Sequence, residues 1–397
     1  MFARQLDESY SPILRGRLDA LVWARMTSNA CYRFSPPFIA TIAAGFDVKV
    51  STLGLALMFG EFAGLLSRFI GRAVDTRDRR ITMTWGMLGV VISVLCASVA
   101  VNPIMFGASV FLLSASKVLF DTSMVAWINE HVSYERRGRV IGIIETSWAL
   151  GLFLGVAFMG LITLLTSWRI GFACGAFALL ITALIVMKQL PKENNVIGAV
   201  TAQRVHIRGR ALLIVGASFM LMGASQCLGL TFGPWLEDNF DGKSWITAVV
   251  VALGFVELIA SITSAQRTDT WGKERSVIYG ALLMMVSALL LTIGQQHWLS
   301  GVILLVLFMG GFEFAIVSLL PIAANLVPGS TGASLGAVVG AGTLGRATFS
   351  FLSTWSYESY GLWMPAAISA VLAVGAGGFT LLYHAWATPL LITDSAE

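Results

Sequence analysis

Long apolar runs separated by short polar breaks are the feature of this chain that most restricts its fold. Runs of about 20 residues are long enough to cross the ~30 Å hydrocarbon layer of a membrane as helices. Of the 397 residues, 56% are hydrophobic and 12% are charged, whereas soluble domains carry about 25% charged residues. The sequence therefore predicts an all-α integral membrane protein that crosses the bilayer many times.

Counting the apolar runs predicts twelve transmembrane helices, six on either side of the longest polar segment. We therefore predict an N-terminal six-helix bundle over 1–188, a cytoplasmic linker over 189–210 and a C-terminal six-helix bundle over 211–397. Two pseudo-symmetric bundles of this kind are the arrangement expected around a midplane site. The predicted spans are 19–45, 52–70, 81–101, 104–131, 140–165, 169–188, 211–234, 245–265, 276–296, 299–321, 332–354 and 362–386.

Positive charge is distributed unevenly between the loops on the two sides. With the N-terminus inside, Lys49, Arg169 and Lys243 are the basic loop residues that fall outside, and all the others fall inside. This asymmetry follows the positive-inside rule, so both termini are predicted inside, and a bacterial cytoplasmic (inner) membrane is the expected location. Because topology explains the net charge of +4, no nucleic-acid partner is expected.

A short loop after the second predicted span, from Gly71 to Arg80, contains four arginines and two aspartates between two apolar runs. The second half has an echo after its own second span, in which Asp269 is followed by basic residues up to Arg275. The echo indicates that the two halves of the chain are related.

These two loops, with the basic segment after span 4 that contains Arg136, resemble the major facilitator superfamily. In that family the loop between spans 2 and 3 follows the pattern Gly-x-x-x-Asp-x-x-Gly-Arg-Arg. Asp78 replaces the second glycine of the pattern here. The residues that match are Gly71, Asp75, Arg79 and Arg80, and in the echo Asp269, Gly272, Lys273 and Arg275.

The resemblance implies a secondary transporter that works by alternating access, similar to the twelve-span proton-driven drug and metabolite exporters. It also implies that Asp75 caps the N-terminal end of span 11 and pairs with Arg136, Arg137 or Arg139 at the end of span 4. A carboxylate gains from the helix dipole there, and such a pair can close the inner side in one conformation and open in another.

Two further exporter patterns match in part. Lys117 stands where the span 4 pattern has an arginine, so a basic group is retained. Gly151 and Gly155 match the antiporter pattern of span 5, but Val156 replaces its proline. The GxxxG spacing itself favours close helix packing.

Charged residues inside the predicted spans are the candidates for a solute and proton pathway, because each costs ~2.5–3.5 kcal/mol on insertion. Lys117 and Asp121 are four residues apart and lie on one helical face, so they are expected to pair. Arg33 and Glu61 lie at similar depth in adjacent spans and form a second possible pair. The candidates are Arg33, Glu61, Lys117, Asp121, Glu145, Glu257, Glu313 and Arg346.

In the second half, Glu257 and Glu313 are balanced by only one midplane cation, Arg346. One carboxylate is therefore expected to carry a proton in at least one state.

The pair Pro36–Pro37 must interrupt the hydrogen bonding of span 1 after Arg33. Side chains predicted to line the cavity are Tyr32, Phe34, Trp148, Gln226 and Phe312.

The sequence thus favours proton-coupled efflux of a small organic or amphipathic solute by a monomer in the lipid bilayer. Alternatives are proton symport of an organic anion, translocation of a lipid or lysolipid, and a membrane receptor that transports nothing. No HExxH motif and no Cys/His cluster is present, and neither an enzyme, a metal site nor a cofactor other than the coupling proton is expected.

Overall fold

A computed structural model of the protein describes residues 2–6, 8, 10–132, 137–190, 208–240, 242–326 and 331–387. Within these residues the regular structure is helical, with no strand. The chain divides into two compact units, Met1–Thr201 with Lys243–Gly254 and Ala202–Gly242 with Phe255–Glu397. The proposed bundle boundaries at 188 and 211 stay a prediction.

The first unit holds nine α-helices and the beginning of a tenth among the described residues. Two irregular stretches interrupt them, a 3-10 turn at Phe62–Leu66 and a π-helical segment at Gly151–Val156. The helices are α1 Pro12–Arg33, α2 Ile39–Gly45, α3 Val50–Glu61, α4 Ser67–Asp75, α5 Arg79–Ser98, α6 Pro103–His131, α7 Arg137–Leu150, α8 Ala157–Leu165 and α9 Trp168–Gln189.

The second unit consists of long helices, of which α11 begins in the first unit. Gly272 separates α11 from α12 and has a φ of +90°, a conformation that favours glycine and ends the helix. The helices are α10 Ala211–Phe240, α11 Lys243–Trp271, α12 Lys273–Gly294, α13 Trp298–Ala324, α14 Thr331–Tyr360 and α15 Trp363–Ala387.

Ten helical stretches of the described chain are long and apolar enough to cross a membrane. The first span is α1 followed by α2. The helix α1 is less apolar than the ten stretches because it carries four arginines and an aspartate. The second is α3 followed by α4, and α2 meets α3 at an angle of 112°, which marks the turn between these two spans. The prediction of an all-α protein with twelve spans is confirmed.

Local sequence explains where several helices begin and end. The predicted break at Pro36–Pro37 is confirmed, since α1 ends at Arg33 and α2 begins at Ile39. Asp78, which departs from the family pattern, caps α5 by accepting a hydrogen bond of 2.7 Å from the amide of Arg80. The departure therefore has a structural role.

The two GxxxG pairs differ in their surroundings. Gly151 packs so closely on α1 that a Cβ there would lie 2.8 Å from Cβ of Asn29, and Gly155 approaches Ala30 as closely. Gly336 and Gly340 on α14 have open space within 4 Å of the Cβ position. Close helix packing therefore accounts for the first pair only.

Candidate functional site

Arg25, near the middle of α1, is the centre of a buried polar network in the first unit. Its guanidinium donates hydrogen bonds to the carbonyl of Ile144 at 3.0 Å and to Oγ of Ser147 at 3.4 Å. It also binds both carboxylate oxygens of Glu145, at 3.0 and 3.2 Å. On its other side, Nε lies 3.5 Å from Oδ1 of Asp121. Arg25 therefore connects α1 with α7 and with α6.

Lys117 occupies the midpoint of α6 and forms the predicted ion pair with Asp121, which is thereby confirmed. Together with Arg25 and Glu145 these residues form a continuous row of alternating charges across three helices. Pairing of this kind is what allows charges to remain inside a membrane protein. Lys117 is buried at 6% exposure, whereas the side chain of Glu145 is 47% exposed, so the row leads from the interior to an accessible end.

An aromatic layer covers the buried end of this row. The rings of Tyr32 and Trp148 lie 6.4 Å apart, and Nζ of Lys117 lies 5.7 and 5.9 Å from their centres. The guanidinium of Arg33 stacks over Trp148 at 4.5 Å and donates to its backbone carbonyl at 3.2 Å. Cation–π contacts of this geometry bind positive groups to a flat apolar surface.

Glu61 lies beside the aromatic layer at the end of α3 and is buried at 8% exposure. The hydroxyl of Tyr32 donates to its two carboxylate oxygens at 3.0 and 3.1 Å. The suggested pairing of Glu61 with Arg33 stays a prediction, because the hydrogen bonds seen join Glu61 to the phenol and Arg33 to the Trp148 carbonyl.

Three interruptions of helix geometry meet at this layer. Arg33 is the last residue of α1, Glu61 is the last residue of α3 before the 3-10 turn, and Trp148 precedes the π-helical segment by three residues. Interrupted helices release backbone groups from their regular hydrogen bonds, and in membrane transporters they surround solute and ion sites. The first unit thus gathers charge, aromatic surface and irregular backbone in one place.

The second unit holds a more apolar site around two buried carboxylates. Glu257 and Glu313 are 3% and 5% exposed, and Ser261 donates to Glu313 at 2.6 Å. Arg346 lies half-buried on α14, and its pairing with either glutamate stays a prediction. Nearby hydroxyl groups bond one another across α11 and α13, namely Ser264, Thr268 and Ser318.

Three of the predicted cavity-lining side chains are buried. Phe34 has no exposed surface and stacks between Phe38 and Phe172 in the core of the first unit. Gln226 donates to Ser350 at 2.8 Å inside the second unit, and Phe312 is 9% exposed. Tyr32 and Trp148 remain half-buried at the aromatic layer.

Arg79 and Arg80, at the end of the loop before α5, bind neighbours within the first unit. Arg79 forms an ion pair of 2.8 Å with Glu130 near the end of α6, and Arg80 donates to the carbonyl of Met187 at 2.8 Å. In the echo, Asp269 lies 3.9 Å from Lys273. Arg275 is exposed, and Gly71 has open space around its Cβ position. Arg136 and the side chain of Asp75 lie outside the described residues.

Sequence reasoning missed Arg25, the most connected residue of the network. The signal was present, because Arg25 lies inside the predicted span 19–45 and is charged, which is the criterion that selected Arg33. Glu130 was also missed, since it lies near the predicted end of span 4, where a charge is ordinary. Its partner Arg79 becomes visible only in three dimensions.

The network and the twelve spans are accompanied by a direct sequence match. A family model described as Major Facilitator Superfamily matches residues 21–347. The chain belongs to the major facilitator superfamily. Among its relatives are two uncharacterized MFS-type transporters of Bacillus subtilis (strain 168). YwfA is 25% identical over 34% of this chain and 32% of its own length, and YceJ is 23% identical over 62% and 63%.

A third relative, the uncharacterized transporter YgaY of Escherichia coli (strain K12), is 24% identical over 68% of this chain and 71% of its own length. The alignments with YwfA and YceJ thus cover less than two thirds of those relatives.

Solved structures of superfamily members share the fold. A bacterial homolog of the human lysosomal transporter Spinster, inward-facing and unoccupied, matches with a TM-score of 0.76 at 12% identity, over 94% of this chain and 97% of that chain. The human organic anion transporter MFSD10 (TETRAN) matches with a TM-score of 0.69 at 15% identity, over 93% and 100%. These likenesses show that the fold is shared over nearly the whole chain.

Proposed function

We propose that this superfamily member is a secondary active transporter that exports a small amphipathic organic solute by alternating access, coupled to protons. It works as a monomer in the cytoplasmic membrane of a bacterium, with both termini inside. The solute and the lipid bilayer are its partners, and it needs neither a nucleic acid nor a cofactor other than the proton.

The observation that supports this proposal is the aromatic layer of the first unit. Tyr32 and Trp148 offer two half-buried rings, with Arg33 over the face of Trp148 and Glu61 at the hydroxyl of Tyr32. A solute with an apolar body and one polar group matches such a surface, since the rings bind the body and a charge or carbonyl binds the polar group.

Proton coupling is proposed from the second unit. Glu257 and Glu313 are both nearly inaccessible. A carboxyl group there must either pair with a fixed cation or carry a proton and be neutral. Ser261 can donate to the ionised form of Glu313 and accept from its protonated form. We therefore name Glu313 or Glu257 as the carrier, with Asp121 and Glu61 as reserve candidates.

Uptake of an organic anion by proton symport is the second candidate. It is favoured by Arg33, whose half-buried guanidinium lies over Trp148 and is a cation that an anionic group would bind. Lys117 and Arg346 are the other midplane cations. Translocation of a lysolipid and a receptor without transport are the remaining alternatives.

The substrate class and the direction are tested together in proteoliposomes that contain the purified protein. Amphipathic cations, amphipathic anions and lysolipids are each offered under an imposed pH gradient of either sign. We expect a gradient-driven flux of an amphipathic solute at least ~10-fold above protein-free vesicles. Accumulation of an anion in the vesicle lumen when the outside is acidified would favour symport, and the absence of any flux across the panel would contradict transport.

Asp75 at the end of α4 is proposed to bias the inward-open and outward-open states without touching the solute. Asp75→Asn is expected to lower the transport rate by roughly 10-fold, because it removes a charge that stabilises one state, while solute affinity changes by no more than a few fold. The matched control is Asp78→Asn in the same loop, which retains the α5 cap, since asparagine caps as well as aspartate. A normal rate in Asp75→Asn would remove the gating role.

A further inference from the structure

Arg25 lies between two carboxylates on different helices and binds one of them more closely than the other. The geometry points to Arg25 as a positioning residue that exchanges from Glu145 on α7 to Asp121 on α6 when Glu145 loses its negative charge. In the transport cycle this exchange would shift the ion pair of α1 from α7 towards α6. That last step rests on the proposed function, whereas the exchange itself does not.

In the conformation described, Glu145 is the preferred partner. Both of its carboxylate oxygens lie at hydrogen-bonding distance from the terminal nitrogen of Arg25, at 3.0 and 3.2 Å. Asp121 is within ion-pair distance at 3.5 Å, but its Oδ1 forms no hydrogen bond with Arg25. The guanidinium is therefore bonded to one acid and only near the other.

The contact between Arg25 and Asp121 brings a hydrogen-bond donor close to an acceptor. Nε of Arg25 and Oδ1 of Asp121 are both buried, and neither has a hydrogen-bond partner within the described part of the chain. An unsatisfied buried polar atom is unfavourable, and these two lie only 3.5 Å apart. A shift of about half an ångström would bring them to the usual N–H···O distance. A small movement is therefore enough to form the hydrogen bond between Arg25 and Asp121.

Asp121 can accept Arg25 without giving up Lys117. Lys117 binds Oδ2 of Asp121, which leaves Oδ1 for Arg25. In the exchanged state each cation would have its own carboxylate oxygen, and both buried atoms would be satisfied. No other ion pair of the row has to break.

Glu145 is the most exposed member of the row, with a side chain that is 47% exposed. A proton that binds one of its carboxylate oxygens would leave Glu145 neutral and Arg25 still charged. The charged groups that face Glu145 are Arg25 from α1, with Lys117 and Asp121 from α6 at longer range. Arg139 lies six residues earlier on α7 and is exposed. A neutral Glu145 would hold Arg25 less strongly than Asp121 does.

The exchange would act at a point where α1 and α7 are otherwise closely packed. Asn29, one turn after Arg25, contacts Gly151 at the start of the π-helical segment and donates to Ser147 at 3.3 Å. Moving Arg25 towards α6 would release Glu145 from α1 next to this irregular segment, while the hydrogen bonds of Arg25 to Ile144 and Ser147 still join α1 to α7. Protonation of Glu145 would thereby weaken the contact between these two helices without breaking it.

The test is nuclear magnetic resonance of the full-length protein with ¹⁵N-labelled arginine in lipid nanodiscs. The Nε–H signal of Arg25 is identified by its loss in Arg25→Lys. In Glu145→Gln we expect this signal to move downfield and its exchange with water to slow by about 10-fold, because Nε gains the bond to Asp121. The wild type should show the same change on acidification, and Glu145→Gln should show no further change.

Glu130→Gln is the matched control, since Glu130 lies on the same helix as Asp121 but binds Arg79. It should leave the Arg25 signal unchanged. An Arg25 signal that is the same in wild type and Glu145→Gln would overturn the exchange. So would an equal pH response in both proteins, because another group would then be responsible.

A thermal double-mutant cycle gives an independent measurement. If Arg25 moves to Asp121, then Asp121→Asn should lower Tm about twice as much in the Glu145→Gln background as in wild type, and equal losses in the two backgrounds would contradict the exchange. If Asp121→Asn prevents folding, the Arg25 resonance in Glu145→Gln is the measurement that tests the exchange. Neither measurement uses transport, so a failed flux experiment and a failed exchange remain distinguishable.

Discussion

Asp121→Ala is expected to reduce the yield of folded protein by at least ~100-fold. The reason is that Asp121 pairs through Oδ2 with the buried cation Lys117, and its Oδ1 also lies within ion-pair distance of Arg25. Removing one partner of a buried ion pair costs about 3–5 kcal/mol, because the remaining charge has neither water nor a counterion. The measurement is the folded fraction after membrane extraction, by size-exclusion chromatography and thermal unfolding.

A double substitution separates folding from function. Lys117→Met with Asp121→Leu removes both charges at similar volume, and such replacements are often neutral for stability. We expect this variant to fold within about 2 kcal/mol of wild type and to transport nothing. Normal transport by the double variant would reduce the pair to a structural role.

The matched control for Asp121→Ala is Asp269→Ala. Asp269 also pairs with a lysine at i+4, Lys273, but its side chain is 85% exposed and the two charges lie 3.9 Å apart. Exposed pairs contribute about 0–1 kcal/mol, so little effect is expected. A comparable loss in both variants would show that burial is not the cause.

Proton flux driven by the solute is expected to vanish in the glutamine variant of the carrier, Glu313 or Glu257, while solute exchange without a gradient survives. Glutamine keeps the size and hydrogen bonding of the carboxyl group but cannot take up a proton, so the two transport activities separate. The measurement is pH change inside proteoliposomes, recorded beside counterflow of labelled solute.

Ser261→Ala is the control for Glu313→Gln, since it removes the donated hydrogen bond and leaves the titratable group. It should shift the pH dependence without abolishing proton flux. Full coupling in each of Glu257→Gln, Glu313→Gln, Asp121→Asn and Glu61→Gln, tested singly, would leave the proton hypothesis without a carrier.

Features set by local sequence could be predicted without the structure. Apolar run lengths gave the number of spans, Pro36–Pro37 gave the break after α1, and helical spacing gave the pair of Lys117 with Asp121. Each depends on residues close together in the chain. Backbone chemistry and the 3.6-residue repeat are enough to specify such features.

Features that depend on several helices were not accessible in the same way. Depth alone suggested Glu61 as a partner of Arg33, but it gave no sign that the hydroxyl of Tyr32 also donates to Glu61. Phe34 follows Arg33 directly, yet the chain leaves its helix there, and the ring enters the core against Phe38 and Phe172. The 3-10 turn and the π-helical segment have no sequence signal as plain as proline.

The charged side chains of the first-unit site have an electrical consequence. Three cations, Arg25, Arg33 and Lys117, accompany three anions, and their formal charges cancel. One elementary charge crossing the membrane potential changes energy by ~2.3 kcal/mol per 100 mV, but a balanced cluster contributes no such work when its exposure alternates. Any current that this unit produces is therefore carried by what it binds. The anions are Glu61, Asp121 and Glu145.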